Sequence, residues 1–555
     1  MEQLTQHVFN SPISTTLAGV VGLFFFLGLV FRSKKDAQEP PYINPDIPIF
    51  GHMWGLWFVG SRYLVKLAKK YKYPIYTLKV PGGKVYVACQ PETIIAIEKN
   101  PKAVAFSPLA ANVISRLSAV SSKTKAAMFE NIIAEDGEYG YFPEITKEVH
   151  ASLRPGANLN IMSATVASTT TKSVSELWGK KTRFQLLEWV QHAFSMGSTN
   201  AIYGPMNPFK DPKVESGFWD FDGGVSTLLL SVFPALTCPK GHSGRVRAWA
   251  GFEKYYLAGG HEQGSVLTQA RYKIARQKDI AVKDIARLEV TMIIGILTNT
   301  VPSGFWMIYF MYSQPDLLAE LREELDAIVE PISKYSEHGA DTNDGAYTHV
   351  LNLNRIKDEC PLFNGTWQET LRSTTCGISS RIVTRDILLN DRFLLKKDAV
   401  VELPNNATHS SPDLWGRSVE RFNPRRFLKP NVSDPPLTSE EKAAGDKHKI
   451  PRATFRPFGG GTSLCAGRHQ ASNQLLGAMA MFCAGFDVVP MLAGQEGRWE
   501  WPGAHGHTIA AAVDSPDHDI PVDVSPRKGM EGRKWLLSTM ELGAKDPADG
   551  SALAA

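Results

Sequence analysis

The feature that most constrains this sequence is a glycine-rich loop that ends in a cysteine and runs directly into a helix-forming segment. The stretch from Phe455 to Arg468 reads Phe-Arg-Pro-Phe-Gly-Gly-Gly-Thr-Ser-Leu-Cys-Ala-Gly-Arg. Its consecutive glycines permit backbone angles that a side chain would forbid, so the loop can bring its main chain against a flat, bulky ligand. We therefore interpret Cys465 as a metal ligand.

The segment that follows the cysteine predicts a helix. Residues 468–482 are rich in good helix formers and carry an apolar face. Cys465 is thereby placed at a helix N-terminus, where free amide groups and the positive end of the helix dipole favour a thiolate over a thiol. We expect the ring of Phe458 to cover the sulfur and to keep water away from it.

The spacing Phe458-x-x-Gly461-x-Ser463-x-Cys465-x-Gly467 resembles the haem-binding signature of the cytochrome P-450 family, Phe-x-x-Gly-x-Arg-x-Cys-x-Gly. Ser463 is the one defining position that differs. The rival interpretation is a phosphate-binding loop, but Gly-Lys-Ser/Thr does not follow the glycines and no buried strand leads into them. The resemblance implies the mainly α-helical cytochrome P-450 fold with a small β-rich side, and a haem b group with Cys465 as its axial thiolate.

The composition of the chain indicates which cellular compartment and which partners are compatible with it. The formal net charge of +4 is too small to argue for nucleic acid as a partner. The six cysteines are scattered without paired spacing, which fits a reducing compartment better than a disulfide framework. The sequence has no Cys-x-x-Cys-His, so we expect the haem to be held without covalent thioether links.

An apolar run from Ile13 to Phe31 is about long enough to cross a bilayer as a helix. Arg32, Lys34 and Lys35 follow it and no Lys or Arg precedes it, so the positive-inside rule places everything after Phe31 on the cytosolic side. A cleaved signal peptide is the alternative, but signal peptides have basic residues before the apolar run and small residues at a cleavage site after it. We expect a single-pass protein of the endoplasmic reticulum membrane.

This interpretation divides the chain into consecutive parts. The prolines between Glu39 and Gly51 favour extended backbone and stiffen the link to the anchor. Further on, β-branched and aromatic residues on both sides of Pro81-Gly-Gly83 predict a hairpin. The predicted parts are a lumenal N-terminus (1–12), a transmembrane anchor (13–31), a basic and Pro-rich linker (32–51), a catalytic domain (52–530) and a C-terminal tail (531–555).

A second long apolar run extends from Asp284 to Phe310 and could be mistaken for another membrane span. Asn299, Pro302 and Gly304 lie in its middle. A lipid-exposed helix seldom carries such a cluster, whereas a buried helix that bends over a cofactor can use each of them. We predict that this run is the long central helix of the fold and crosses the distal face of the haem.

In most monooxygenases of the family this helix carries Ala/Gly-Gly-x-Asp/Glu-Thr, whose acid and alcohol relay protons during dioxygen activation. The matching stretch here is Gly295-Ile-Leu-Thr298-Asn299-Thr300, with Thr298 in the place of the acid and Asn299 in the place of the alcohol. The stretch from Asn299 to Trp306 resembles the branch that contains sterol 7α- and 12α-hydroxylases and prostacyclin synthase. The resemblance implies that Thr298, Asn299 and Thr300 are catalytic residues.

Three roles stay open for Asn299. Its amide can donate a hydrogen bond and hold a water, it can steer a substrate peroxide, or it can serve as the helix-kink partner of Pro302. Some members of that branch hydroxylate with external electrons, and others rearrange an endoperoxide with no electrons. The sequence therefore leaves both reactions open.

A charge network is also implied by the resemblance. Trp367-Gln-Glu369-Thr-Leu-Arg372 supplies the family's Glu-x-x-Arg, and this spacing puts both charges on one face of a helix. Glu420-Arg421-Phe422 stands between that helix and the cysteine loop. The resemblance implies that Arg421 completes a buried network with Glu369 and Arg372, which serves folding and haem retention.

The strand after that helix adds further candidates. Arg381 matches a basic residue that relatives offer to a haem propionate, and we expect it to matter more here because the haem loop has serine in place of arginine. A solvated strand arginine is the alternative. The resemblance also implies substrate contacts from Gly295, Cys376 and Ser379. His150 is a candidate neighbour of a propionate, with a surface histidine as the equal alternative.

Together these features predict a membrane-anchored haem-thiolate monooxygenase that oxidises, by hydroxylation or a related reaction, a large apolar molecule such as a sterol, terpenoid or other secondary metabolite. Its partners would be that substrate, membrane lipid and an NADPH-cytochrome P-450 reductase. A second hypothesis is a haem-thiolate isomerase or dehydratase that needs no reductase. A third is a haem-binding sensor or carrier, which would release its ligand unchanged.

Overall fold

The computed structural model describes residues 36–45, 51–80, 83–134, 137–331, 349–428, 453–492, 494, 497–504 and 511–539. The predicted lumenal N-terminus and transmembrane anchor lie outside the described residues, as do residues 540–555 of the predicted tail.

Helices make up most of the described chain, as the sequence predicts. In chain order they are α1 (Gly51–Phe58), α2 (Ser61–Tyr71), α3 (Pro91–Glu98), α4 (Ser107–Ser118), α5 (Ser122–Phe129), α6 (Tyr141–Ser152), α7 (Ala157–Ser175), α8 (Leu186–Tyr203), α9 (Pro212–Leu230), α10 (Pro234–Thr237), α11 (Pro239–Leu257), α12 (Val266–Gln277), α13 (Val282–Leu297), α14 (Thr300–Tyr312), α15 (Pro315–Ile328), α16 (Leu353–Glu359), α17 (Pro361–Thr374), α18 (Asn405–His409), α19 (Pro412–Trp415) and α20 (Arg468–Gly485).

Local sequence explains where several helices begin. Asp211 accepts the Lys213 N–H at 2.9 Å on its side-chain oxygen, and Pro212 occupies the first helical position of α9. Ser265 caps α12 in the same way by accepting the Thr268 N–H. These caps satisfy amide groups that a helix start otherwise leaves without partners.

The strands form one larger sheet and smaller satellites. The strand bounds are β1 (Tyr42–Ile43), β2 (Ile75–Val80), β3 (Gly83–Ala88), β4 (Val104–Ala105), β5 (Thr182–Gln185), β6 (Glu330–Pro331), β7 (His349–Asn352), β8 (Ile378–Val383), β9 (Ile387–Leu389), β10 (Phe393–Leu395), β11 (Val400–Pro404), β12 (Phe486–Pro490), β13 (Pro521–Pro526) and β14 (Trp535–Ser538). The larger sheet has the order β1-β2-β3-β11-β8-β4, and the smaller sheets have the orders β12-β13-β5 and β14-β7-β6 beside a β9–β10 hairpin.

The hairpin that the sequence predicts is confirmed. β2 and β3 pair antiparallel, with Val80 opposite Gly83 at the turn. β3 pairs parallel with β11, and β11 pairs antiparallel with β8. This order brings the strand that carries Arg381 into the same sheet as the N-terminal hairpin.

The second long apolar run is a core helix and not a membrane span. The segment Val282–Tyr312 is apolar enough to cross a membrane, yet 83% of its most apolar window is buried inside the protein. Every residue of α14 is buried, as expected for a helix that is apolar on all sides. The prediction of a central buried helix is confirmed.

Two predicted domain boundaries need correction. The predicted linker is not wholly a tether, because β1 pairs with β2 and the Thr77 hydroxyl donates to the Pro40 carbonyl oxygen at 2.8 Å. The predicted tail is not wholly outside the fold, because β14 pairs with β7 and Trp535 is only 1% exposed. The sequence missed both because these strands are short and take their partners from distant parts of the chain.

Candidate active site

The predicted haem loop folds as a tight turn in front of α20. Gly459 and Gly461 have φ of +72° and +58°, angles that favour glycine. The Cys465 N–H donates to the Phe458 carbonyl oxygen at 2.9 Å, which closes the loop. The structure thus has the arrangement that the sequence predicts, with a partly buried cysteine just before a helix that begins at Arg468.

Opposing effects act on the Cys465 thiol. Burial raises its pKa, and it is the larger effect. Hydrogen bonds from the backbone N–H groups of Gly467 and Arg468, together with the Arg468 charge, lower the pKa. The helix terminus therefore acts in the predicted direction, but it does not by itself outweigh burial. A metal cation on the sulfur would supply the charge that a buried thiolate needs.

Arg381 contacts Ser463 directly. Its Nη2 donates to the Ser463 hydroxyl at 2.9 Å and to the Gly460 carbonyl oxygen at 3.3 Å. The Ser379 and Ser463 hydroxyls also share a hydrogen bond of 3.2 Å. Arg381 is 1% exposed, so the alternative of a solvated strand arginine is wrong. A serine at position 463 leaves room for this guanidinium beside the loop.

A second buried arginine, which the sequence analysis missed, lies beside the first. Arg456 contacts the Glu98 carboxylate of α3 at 2.8 Å, and Arg381 lies 3.8 Å from the same carboxylate. A methyl group on Gly460 would stand 2.5 Å from Glu98 Oε1 and 2.6 Å from Arg456 Nη1, so a side chain there would displace this ion pair. The signal in the sequence was the position of Arg456 within the stretch that leads into Gly459.

These arginines can hold a large anionic group. The Nε atoms of Arg381 and Arg456 are buried without a hydrogen-bond partner among the described residues. Burial lowers the pKa of Arg381 to about 10, opposed by Glu98 and reinforced by Arg456. Two guanidinium groups thus face one carboxylate next to the cysteine loop. Their unmatched charge and donors fit the carboxylates of a haem, while Cys465 fits its iron.

Two histidines near the loop differ in role. His409 is buried, and its Nε2 accepts the Arg456 backbone N–H at 2.8 Å. Burial lowers its pKa to about 3, and the charges of Arg372 and Arg456 act in the same direction, so it is neutral. His150 lies on α6, where burial and the charge of Arg468 lower its pKa. His150 therefore stands near the cysteine helix, and its contact with a propionate stays a prediction.

Glu369 is the centre of a buried charge network behind the cysteine loop. Arg372 donates to both of its carboxylate oxygens, at 2.7 and 2.8 Å, and the Asn423 backbone N–H donates at 2.9 Å. Arg372 also donates to the His409 carbonyl oxygen at 2.8 Å. Because His409 holds the backbone of Arg456, the network is connected to the residues beside the loop.

The third member of this network is Arg426 and not Arg421. Arg426 Nε donates to Glu369 Oε1 at 3.2 Å, and its side chain is 9% exposed. Arg421 is an exposed residue, and only its carbonyl oxygen meets the network, as an acceptor from Arg426. A short 3₁₀ turn over Pro424–Phe427 directs Arg426 inward. The sequence offers an Arg-Phe pair at each position, and spacing alone did not distinguish them.

The distal helix is interrupted at the predicted catalytic residues. α13 ends at Leu297 and α14 begins at Thr300, so Thr298 and Asn299 form the break. Pro302 has no N–H to donate to the Thr298 carbonyl oxygen, which accounts for the interruption. The Ser303 hydroxyl donates to the Asn299 carbonyl oxygen at 2.7 Å and stabilises the start of α14.

The hydroxyl groups of both threonines already have acceptors. The Thr300 hydroxyl donates to the Ile296 carbonyl oxygen at 2.8 Å, across the break. The Thr298 hydroxyl donates to Asp222 Oδ1 on α9 at 2.5 Å. Thr300 therefore supports the helix in this structure, while Thr298 is joined to an acid that the sequence analysis did not identify.

Asn299 binds a loop segment near the C-terminus. Its Oδ1 accepts the backbone N–H of Ala512 at 2.7 Å and that of Val513 at 3.2 Å. These two donors fix the orientation of the amide, because only an oxygen can accept them. Its Nδ2 is left as the group that can act on a ligand, so Asn299 can donate a hydrogen bond but has its acceptor occupied.

The same loop holds the predicted substrate-contact residue Cys376. The backbone N–H groups of Cys376 and Gly377 donate to the Ala512 carbonyl oxygen at 2.9 and 3.0 Å. Gly295, the other predicted contact on α13, is exposed, and a methyl group there would meet nothing within 4 Å. The structure thus joins Cys376 and Asn299 through one loop and leaves open space beside Gly295.

Comparison with known proteins agrees with this geometry. A family model described as Cytochrome P450 matches residues 265–498, a range that includes the helix break, the Glu369 network and the cysteine loop. The cytochrome P450 monooxygenase nodJ of Hypoxylon pulicicidum is 32% identical over 537 residues, which cover 96% of this chain and 98% of that protein.

More distant relatives have similar lengths. A cytochrome P450 monooxygenase of Gibberella zeae is 26% identical over 547 residues, covering 96% of this chain and 98% of the relative. Cytochrome P450 7B1 of Mus musculus is 23% identical over 478 residues, covering 83% of this chain and 87% of the mouse protein. The similarity therefore extends across nearly the whole fold.

Proposed function

Because the chain belongs to the cytochrome P450 family and is a haem-dependent monooxygenase, we propose that it is anchored in the endoplasmic reticulum membrane and hydroxylates a large apolar substrate. The substrate class is a sterol, terpenoid or related secondary metabolite, and electrons come from NADPH through a partner reductase. The observation that supports the haem-dependent part of this proposal is the cysteine loop, closed by the 2.9 Å hydrogen bond from Cys465 to Phe458, with two buried arginines beside it.

Several residues would hold the haem. Cys465 would hold the iron through its sulfur, and Arg381 and Arg456 would donate to the propionates, while the Ser463 hydroxyl accepts from Arg381 at 2.9 Å. When bound, the haem supplies the oxygen chemistry, and an axial thiolate favours cleavage of the O–O bond. The buried Glu369 network keeps the loop in place through Arg372 and His409.

The distal side would use Asn299 as a hydrogen-bond donor. Its Oδ1 is held by the loop N–H groups, so its Nδ2 protons are directed elsewhere and can orient an oxygen atom or a water molecule. Thr300 and Pro302 shape the helix break that presents this amide. The resemblance of this segment to the branch with sterol hydroxylases supports a bulky apolar substrate.

Replacing Asn299 separates two contributions of its amide, the hydrogen bond that Nδ2 can donate to a ligand and the acceptor that Oδ1 provides for the loop N–H groups. In Asn299→Ala both are lost, so product formation should fall by about a hundredfold or more, and unfolding free energy should fall by about 1–3 kcal/mol because two loop N–H groups lose their acceptor. In Asn299→Asp the acceptor remains, and the two N–H groups favour the ionised carboxylate, which cannot donate. We expect Asn299→Asp to keep native stability and lose product formation. Turnover and thermal unfolding of the haem-loaded protein check this.

If Asn299→Asp retained full product yield while Asn299→Ala lost it, the role of Asn299 would be to hold the loop. Haem content, measured by absorption in the same samples, should be unchanged in both variants. A loss of haem in Asn299→Asp would contradict a donor role confined to the distal side.

Exposed apolar surface supports the membrane proposal. Phe58 at the end of α1 is 70% exposed, and Val232 and Leu236 between α9 and α11 are 77% and 80% exposed. Large exposed apolar residues of this kind are unfavourable in water and favour contact with a lipid surface. The full chain is expected to remain with the membrane fraction after alkaline carbonate washing, and its release would contradict a transmembrane anchor.

The reaction itself is tested with heavy oxygen. The full chain is expressed in a membrane-containing host with and without an NADPH-dependent P-450 reductase, and supplied with sterol and terpenoid extracts under ¹⁸O₂. We expect product that carries the heavy oxygen and forms only when the reductase is present. Unlabelled product formed without reductase would contradict the proposal and identify an isomerase or dehydratase. Ligand binding without any product would identify a sensor or carrier.

A further inference from the structure

Asp222 is a carboxylate of α9 that reaches the break in the distal helix. Its Oδ1 accepts the Thr298 hydroxyl at 2.5 Å, although the residues are 76 apart in the sequence. Thr298 is buried, whereas Asp222 is only partly buried. The carboxyl group therefore lies at the boundary between the packed helices and accessible space.

The packing of α9 explains how the carboxyl reaches this place. Phe218, Phe221 and Val225, on the same side of α9, belong to the core cluster that also contains Ile293 and Leu297 of α13. An adjacent part of the buried face of α9 approaches α11 closely through glycine. A methyl group on Gly217 would stand 2.9 Å from the Gly244 carbonyl oxygen, and one on Gly224 would stand 3.0 Å from Gly241 Cα.

Asp222 has no cationic partner within the described part of the chain. The contrast is Asp220, two residues earlier on the same helix, which pairs with Arg247 at 2.6 Å and with Lys240 at 3.2 Å. Burial raises the pKa of Asp222 to about 6, and the hydrogen bond from Thr298 only partly opposes this. A carboxylate in this position lacks the compensation that buried charges normally have.

Open space lies beside Gly295, on the stretch of α13 that leads to Thr298. Gly295 lies three residues before Thr298, and residues at this spacing share one face of a helix. A methyl group on Gly295 would meet no heavy atom within 4 Å, and Gly295 is exposed although Ile293, Ile294 and Leu297 around it are buried. The face of α13 that carries Thr298 therefore borders a space that a ligand can occupy.

A hydrogen bond that only holds α9 and α13 together does not require a carboxylate at position 222. A serine or asparagine at position 222 could accept the Thr298 hydroxyl at lower cost, because neither would bring a charge into a largely apolar surrounding. An aspartate retains further acceptor sites after Thr298 has taken one. A ligand that donates a hydrogen bond would use that unused capacity.

We propose that Asp222 is a specificity-determining residue that accepts a hydrogen bond from a hydroxyl group of the substrate, so that the preferred substrate is an apolar skeleton that already carries an alcohol. A hydroxyl group suits the site better than an ammonium group, because bringing an ammonium next to an apolar helix face costs more desolvation than bringing a neutral hydroxyl. This inference rests on the proposed function, since it places the substrate over the distal helix.

The test measures binding and not turnover. The probes are 1-substituted imidazoles, which ligate haem iron through the ring, with alkyl chains of increasing length that end in a hydroxyl group or in the matched methyl ether. Dissociation constants come from the shift of the haem absorption band in the haem-loaded full chain. At the chain length that reaches Asp222, the alcohol should bind about tenfold more tightly than the ether, since only the alcohol can donate.

The variants identify the acceptor. Asp222→Ala should remove the preference for the alcohol, and Asp222→Asn should reduce it while conserving shape. Asp220→Asn is the matched control on the same helix and should leave the preference intact. Thermal unfolding of each haem-loaded variant checks that the comparison is made on folded protein, and Asp222→Asn keeps the test valid if Asp222→Ala does not fold.

Several outcomes would overturn the proposal. They are equal binding of alcohol and ether at every chain length in the native protein, a preference that survives in both Asp222 variants, or an ammonium-ended probe that binds more tightly than the alcohol. Tight binding of the ether probes would show that the haem site is intact in each case. Failure of this inference is thereby distinguished from failure of the proposed function, which the ¹⁸O₂ experiment tests separately.

Discussion

Replacing Cys465 by alanine is expected to abolish the thiolate-type absorption of the reduced carbon monoxide complex and all monooxygenase activity. The sulfur is positioned by the hydrogen bond from the Cys465 N–H to the Phe458 carbonyl oxygen, 2.9 Å long, and by the N–H groups at the start of α20. Alanine preserves the backbone of the loop and removes the sulfur that would ligate the iron. The absorption spectrum of the reduced protein under carbon monoxide is the measurement.

Cys483→Ala is the matched control for this change. Cys483 lies on the same helix, fully buried near its other end, where burial raises the pKa of its thiol to about 12. A buried thiol of this kind behaves as a small apolar side chain. Its replacement should therefore leave the spectrum unchanged. If the thiolate-type absorption survived in Cys465→Ala, the assignment of the axial ligand would be wrong.

Replacing Arg426 by alanine is expected to lower the free energy of unfolding by about 3 kcal/mol and to reduce the yield of haem-loaded protein, because a buried carboxylate loses one of its partners. Glu369 is fully buried, and Arg426 also donates to the carbonyl oxygens of Trp415, Ser418 and Arg421. Denaturant unfolding and the carbon monoxide spectrum measure the two effects. The loss is smaller than a complete break of the network because Arg372 keeps both bonds to Glu369.

Arg421→Ala provides the comparison, since it removes the same side chain from an exposed position five residues earlier. We expect its unfolding free energy to stay within about 0.5 kcal/mol of the native value. The reverse order, with Arg421→Ala the more damaging change, would show that the network is built differently in solution. Equal and small effects would mean that Arg372 alone suffices to compensate Glu369.

The cysteine loop could be predicted from the sequence because its determinants are local. Glycine backbone angles at positions 459 and 461, the closing hydrogen bond and the start of α20 all depend on residues within one short stretch. The Glu369–Arg372 pair is local too, because a spacing of three residues places both side chains on one helix face. The predicted β2–β3 hairpin has the same origin.

Other predictions failed or stayed incomplete where the partner lies far away in the sequence. The two Arg-Phe pairs at 421 and 426 look alike locally, and only the turn over Pro424–Phe427 directs one of them to Glu369. Arg456 was overlooked because its partner, Glu98, belongs to a helix near the N-terminus. The strand β14 lies beyond the predicted domain boundary and is defined by its pairing with β7.

The sequence by itself determined the family, the haem loop with Cys465 and the bend of the distal helix near Asn299 and Pro302. Each follows from backbone and side-chain rules that act over a few residues. Only the tertiary structure decided what the side chains at that break bind: Asn299 holds a loop 213 residues further on, and Thr298 meets Asp222, 76 residues earlier. Such contacts depend on how whole helices and loops pack, because a hydrogen bond needs its donor and acceptor within about 3 Å.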